Sequence, residues 1–151
     1  MRYSLCRQGV SVGILPGAEV SASIADEGGH RGEGAFALVT GYLEKHEDPK
    51  HGVVREVKEE LNLDVVETHL IGNYIFERKN EIMLCYHVVA TGEVRLSPEL
   101  IDYRRYQPHE LRPWPRATGF AVADWMKSRG LEVKFRDLPP INVAAATNQK
   151  G

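Results

Sequence analysis

Residues 41–63 read GYLEKHEDPKHGVVREVKEELNL, and within them Pro49 to Leu61 carries the marks of a single helix. Each helical residue advances about 100° around the axis, so Glu56, Glu59 and Glu60 share an arc of roughly 100°. Val53, Val54, Val57 and Leu61 fall on the neighbouring arc. One side of such a helix packs while the next presents three carboxylates, which repel one another at i, i+3 and i+4. A cluster of that kind calls for a cation. Asp48 is a good N-cap and Pro49 suits the first helical position, where no N–H is needed. Asn62 follows the last apolar residue, where a left-handed residue closes a helix. Gly52 weakens the segment by about 1 kcal/mol, so the valine face must compensate by packing. Upstream, Ala37-Leu38-Val39 reads as a strand and residues 40–47 as the loop that carries Gly41 and Glu47 toward the carboxylates.

On these residues the chain resembles the Nudix hydrolases, whose signature is GX5EX7REUXEEXGU with U a bulky aliphatic. Gly41, Glu47, Arg55, Glu56, Val57, Glu59, Glu60 and Leu63 stand at the required spacing, and Asn62 replaces the family's Gly at the left-handed cap. Thr40 and His46 take the places of two further family glycines; at His46, glycine would relax φ. Residues 36–44 (FALVTGYLE), Tyr86-His87-Val88 and Leu111-Arg112-Pro113-Trp114-Pro115 are similar to the NADH-pyrophosphatase-like branch. Members of that branch often carry a four-cysteine zinc ribbon, which these 151 residues do not encode.

The resemblance implies an α/β fold, a Nudix-type α/β/α sandwich with a mixed β-sheet, and covers about residues 10–129. We expect residues 1–130 to form the Nudix domain and 131–151 an extension, a short strand and then a flexible tail. Three glutamates on one helix turn match a hard cation such as Mg2+, with Mn2+ as a substitute. By resemblance Glu59 and Glu60 are metal ligands, joined by the Gly41 carbonyl, and Glu56 is either a ligand or the group that activates water. Arg55 would pair with Glu47 and hold the loop to the helix. Glu44 matches a recurring family glutamate that assists metal binding or loop structure. Glu99 and Asp102, in an acidic later segment, are candidate general bases. Phe36, Tyr74 and Phe76 are candidate rings for stacking on a nucleotide base, although strand aromatics are more often core. Trp114 and Trp125 read as core.

Length and composition suit one domain: 42% hydrophobic, 26% charged, formal net charge −2. That charge gives no reason for broad nucleic-acid or membrane binding, so a small nucleotide substrate is the expected partner. Homodimers are common in the family, and the resemblance admits one here. Cys6 and Cys85 make no disulfide framework, and neither a signal-peptide core nor a membrane-length apolar run is present, which points to the cytoplasm. The six histidines lack zinc-ligand spacing.

Along the chain, residues 10–15 and 20–25 read as a hairpin and 26–34 as a polar, glycine-rich loop whose His30 and Arg31 face solvent or a phosphate. Strands are expected at 64–71, 73–76, 82–90 and 103–106, with 92–96 extending the sheet and 97–102 an acidic connection. Residues 108–115 are turn-prone, and a second helix should span 118–129, ended by Gly130. A short strand at 133–135 and a frayed tail at 144–151 complete the reading. The activity implied is metal-dependent attack of water on a pyrophosphate bond in a nucleoside diphosphate linked to another moiety, of the NADH/NAD or ADP-ribose class. The competing reading is a non-catalytic nucleotide-binding module, for which the replaced loop glycines speak.

Overall fold

A computed structural model describes residues 9–15, 19–24, 38–77 and 80–137, with residues 9–15, 19–24, 101, 102 and 104 described by backbone alone. Phe36, Ala37, His30, Arg31, Cys6 and the 144–151 tail lie outside the described residues.

The most apolar segment of the chain becomes the interior strand on which both layers rest. Strand β5 (Glu81–Thr91) lies between β4 (Asp64–Phe76), antiparallel to it, and β1 (Gly9–Leu15), parallel to it. Beyond β1 the sheet continues through β2 (Glu19–Ile24) to β6 (Leu100–Tyr106), both pairings antiparallel. Strand β3 (Val39–Tyr42) pairs with the first half of β1. The sheet is mixed, as expected.

Successive residues of β5 alternate between two cores, which is why this strand reads as an almost unbroken apolar run. Tyr86, Val88 and Ala90 pack with Val53, Val57 and Leu61 of helix α1 (Pro49–Leu61). Met83 and Cys85 turn the other way, toward Ala121 of helix α2 (Thr118–Ser128). Leu38, Leu111, Val122, Trp125 and Met126 continue that second core. The architecture is therefore an α/β/α sandwich with α1 and α2 on opposite faces of the sheet.

Helix α1 is capped as its sequence indicates. Asp48 Oδ1 accepts the Lys50 N–H at 2.8 Å, and Asn62 closes the helix in the left-handed region at φ 60°.

Several expectations are corrected. The strand expected at residues 37–39 runs instead from Val39 to Tyr42, so Gly41 sits within it, paired with Val10. The two strands expected at 64–71 and 73–76 are one, β4; register shifts between Val65 and Glu67 and between Leu70 and Gly72 absorb the extra residues. Residues 92–96 do not extend the sheet. They run past the end of α1, where Arg95 N–H donates to Leu61 O and Ser97 N–H to Glu60 O, both at 3.0 Å. Helix-terminal carbonyls need donors, and this segment supplies them. Strand β6 begins at Leu100, so Asp102 lies in the sheet rather than in the acidic connection; burial of Leu100 in the α1-side core pulls the strand start forward. Residues 133–135 form no strand. Leu131 and Val133 pack on the α2-side core, and Arg136 N–H donates to Pro113 O at 2.9 Å, a loop partner rather than a sheet edge. Val54, expected on the packed face of α1, is 42% exposed. The buried arc has rotated toward Gly52 and Glu56, because the loop before the helix folds over that side.

Among the described residues no helix is long and apolar enough to cross a membrane. Cys85 is buried.

Candidate active site

Arg55 ties the loop between β3 and α1 to the helix. Its Nε donates to Glu47 Oε1 at 2.7 Å and its Nη2 to Glu47 Oε2 at 2.9 Å, a two-pronged ion pair. The same Nη2 reaches the Tyr42 carbonyl at 3.0 Å, at the end of β3. Nη1 reaches Glu56 Oε1 at 2.8 Å and Glu59 Oε2 at 3.1 Å. Only a planar guanidinium spans strand, loop and helix in this way. Glu47 Oε2 also accepts the Glu44 N–H at 2.9 Å, which closes the loop on itself. The Arg55 hydrogen bonds, helped by the Glu44 amide, hold the Glu47 carboxyl down at about 2, and those carboxylates push the guanidinium further up.

Two glycines make the approach possible. A Cβ on Gly41 would overlap the Glu56 carboxyl, and a Cβ on Gly52 would overlap Leu43 and stand 3.1 Å from Glu47 Oε2. Gly52 was legible in the sequence only as a weak point of the helix. It is the place where the loop lands, and a helical glycine with no capping or bending duty is the signal that marks it.

His46 adopts φ 64°, so the loop keeps its left-handed turn although the residue is not glycine. Thr40 lies within β3, paired with Ser11, an extended position open to any residue. The loop substitutions therefore leave the backbone path intact.

Glu56 is buried, 7% exposed, between Gly41 and Arg55. Burial pushes its carboxyl up; Arg55 opposes this, and the charges of Glu59 and Glu60 add to it. Glu59 is exposed beside Arg55, and Glu60 accepts a hydrogen bond from the Ser97 hydroxyl. Ser97 is a further contact of the site, reached from a segment distant in sequence. Glu44 stands exposed on the loop, 3.9 Å from Arg55 Nε. Glu99 is exposed, two residues beyond Ser97, and Asp102 is in β6.

The candidate stacking rings divide differently. Tyr74 and Phe76 pack beside Met83, Cys85 and Ala121, on the face covered by α2, and the Tyr74 hydroxyl donates to Asp124 Oδ2 at 2.6 Å. The structure does not bring them to the α1 carboxylates.

The donor set of the α1 side is all oxygen and negative, the chemistry a hard divalent cation requires. Among the described residues no three acidic, histidine or cysteine side chains converge closely enough to enclose a cation by themselves.

Comparison with known proteins agrees with this geometry. The NUDIX domain family model matches residues 19–125. The NAD-capped RNA hydrolase NudC of Pseudomonas putida strain W619 is 30% identical over 90 residues, 58% of this chain and 33% of that protein. The NudC of Pseudomonas fluorescens strain Pf0-1 is 27% identical over 90 residues, with the same coverage of 58% and 33%. The chain thus spans about a third of the length of these curated relatives. Among solved structures, an ADP-ribose pyrophosphatase from Streptococcus suis superimposes with a TM-score of 0.62 at 19% identity, covering 85% of this chain and 98% of that one. A NUDIX hydrolase from Nitrosomonas europaea gives a TM-score of 0.66 at 17% identity, covering 91% and 82%. At such identities the structural likeness is one of fold. With the family model matching most of its length, on a fold shared with solved members, the chain belongs to the Nudix hydrolase family.

Proposed function

We propose that this protein hydrolyses the pyrophosphate bond of a nucleoside diphosphate linked to a second moiety, in the NADH/NAD or ADP-ribose class. The observation that carries the reading is the set of three carboxylates on one turn of α1, with Glu56 buried against Gly41 and braced by Arg55. Burying a carboxylate beside two others is costly, and a divalent cation relieves that cost.

Glu56, Glu59 and Glu60, with the Gly41 carbonyl, would hold Mg2+ or Mn2+. Bound there, the ion supplies charge neutralisation for the phosphates and acidifies the attacking water. The protein's own part is positional. Arg55 and Glu47 fix the loop so that Gly41 stays against Glu56. Ser97 orients Glu60 through its hydroxyl. A carboxylate outside the metal set must accept the water proton, and Glu99 and Asp102 are the candidates; Glu56 serves instead if it is not a ligand. Glu44, exposed on the loop, would assist metal binding or loop structure. Phe36 is the ring we assign to base stacking, since Tyr74 and Phe76 face α2.

The substrate class is supported by the relatives: NudC acts on NAD-capped RNA, and the Streptococcus suis protein is an ADP-ribose pyrophosphatase. Both substrates contain the same nucleoside-diphosphate linkage. The net charge of −2 favours a small nucleotide over long nucleic acid. A cytoplasmic location and a homodimer belong to the same proposal.

Incubating the protein with Mg2+ and a panel of NADH, ADP-ribose, diadenosine polyphosphates and nucleoside triphosphates, then weighing the products, tests it. Release of a nucleoside monophosphate from NADH or ADP-ribose is expected. Glu59→Gln should lower kcat about 100-fold or more. Unchanged turnover in that variant would remove Glu59 from the metal set.

A further inference from the structure

On the opposite face of the sheet from the carboxylates, a pocket of about 300 Å³ opens between β4, β5 and α2. It is lined by Leu70 and Ile71, by the rings of His69, His87 and Trp125, and at its rim by Asp124, Ser128 and Arg129. His87 lies between the other two rings, 5.9 Å from His69 at 18° and 5.5 Å from Trp125 at 30°. The Arg129 guanidinium rests 5.5 Å from the centre of the Trp125 ring and makes no salt bridge among the described residues.

Two polar atoms here are unexplained by the fold. His87 and Trp125 are 6% and 7% exposed, and His87 Nε2 and Trp125 Nε1 have no hydrogen-bond partner among the described residues. Buried polar atoms are almost always paired, and an unpaired one costs about 1–3 kcal/mol. The indole N–H can only donate. Burial, and then the Arg129 charge, keep His87 uncharged at neutral pH, with its titration held down at about 4. A neutral imidazole donates from one nitrogen only; in the tautomer with its proton on Nε2, the pocket offers two sealed N–H donors and one exposed cation. All three seek an acceptor. Asp124 accepts the Tyr74 hydroxyl through Oδ2 and does not reach either ring nitrogen. Ser128 Oγ is likewise engaged, donating to Trp125 O at 2.6 Å.

We propose that this pocket binds a small aromatic carboxylate, independently of the hydrolase site. The ring would lie against Leu70, Ile71 and the imidazoles. The carboxylate would take hydrogen bonds from Arg129 and from the Trp125 and His87 N–H groups. Neither nitrogen is open to solvent in the present arrangement, so the exposed Arg129 and His69 side chains turn outward as the ligand enters. The volume matches the small end of ligand pockets and exceeds what an inorganic anion fills.

The two tryptophans give separate indole N–H resonances, so an NMR titration with benzoate reads the site directly. A saturable shift of the Trp125 resonance is expected, with Trp114 unmoved. Arg129→Gln, at an exposed position, should weaken benzoate about tenfold while leaving the rest of the spectrum in place. Benzamide, which lacks the charge, should be weaker than benzoate by a similar factor. A Trp125 resonance that does not respond, or responds equally in Arg129→Gln, overturns the site. Acetate binding as tightly as benzoate overturns the aromatic specificity.

Discussion

The two faces of the sheet solve opposite problems. On the α1 side, charge is concentrated: the Arg55 guanidinium is paired with the carboxylates of Glu44, Glu47, Glu56 and Glu59, and Glu56 is buried. On the α2 side, Met83, Cys85, Ala121, Trp125 and Met126 belong to buried apolar clusters. The first face gives up stability to hold like charges together, and the second supplies it.

Exchanging losses between the faces tests that contrast most severely. Glu59→Gln should lower kcat about 100-fold or more yet shift stability by no more than about 0.5 kcal/mol, because its pair with Arg55 is exposed. Met126→Ala, at a side chain with no exposure, should cost about 2–5 kcal/mol in urea unfolding and leave kcat unchanged wherever the protein stays folded. Equal losses of stability in the two variants would erase the distinction.

The next largest effect is pH dependence on the α2 side. His87 titrates near 4 when folded and near 6.5 when unfolded. Its depressed value means the unfolded chain binds the proton first, so stability is complete above about 6.5 and declines as pH falls toward 4. The decline from this group should be on the order of 3 kcal/mol. An NMR titration of the His87 ring with a midpoint near 6.5 in the folded protein would contradict it.

Arg55→Lys probes the brace. The charge stays, but the paired contacts to Glu47 and the reach to Tyr42 O are lost together. We expect a loss of about 1–2 kcal/mol in stability, with weaker metal binding measured by calorimetry. Metal affinity equal to that of the natural chain would show that Gly41 and Glu56 stay in contact without the fork. The smallest effect is expected at His46, where φ 64° strains a residue with a Cβ. His46→Gly should raise the melting temperature slightly, by less than about 1 kcal/mol in stability, without altering the loop path.

Helix α1 was legible in the sequence because its signals are local: Asp48 and Pro49 begin it, Asn62 ends it, and the three glutamates follow from helical spacing alone. Strand β5 was legible for a similar reason, since a strand buried on both faces leaves an apolar run. The errors fall where a residue's partner is remote. Residues 92–96 read as strand because their own composition allows it, and only the bare carbonyls of Glu60 and Leu61 decide otherwise. The break expected near Gly72 vanished because pairing with β5 tolerates a bulge.

The amino-acid order by itself determined the carboxylate turn, its caps and the kind of cation it suits, since each follows from neighbours within a few residues. Tertiary structure alone decided that Gly41 abuts Glu56, that Ser97 holds Glu60, that Tyr74 and Phe76 belong to the other face, and that His87 Nε2 and Trp125 Nε1 have no hydrogen-bond partner among the described residues. Those facts depend on which surfaces meet when the chain closes, and burial at such contacts is a property of the whole fold rather than of any local stretch.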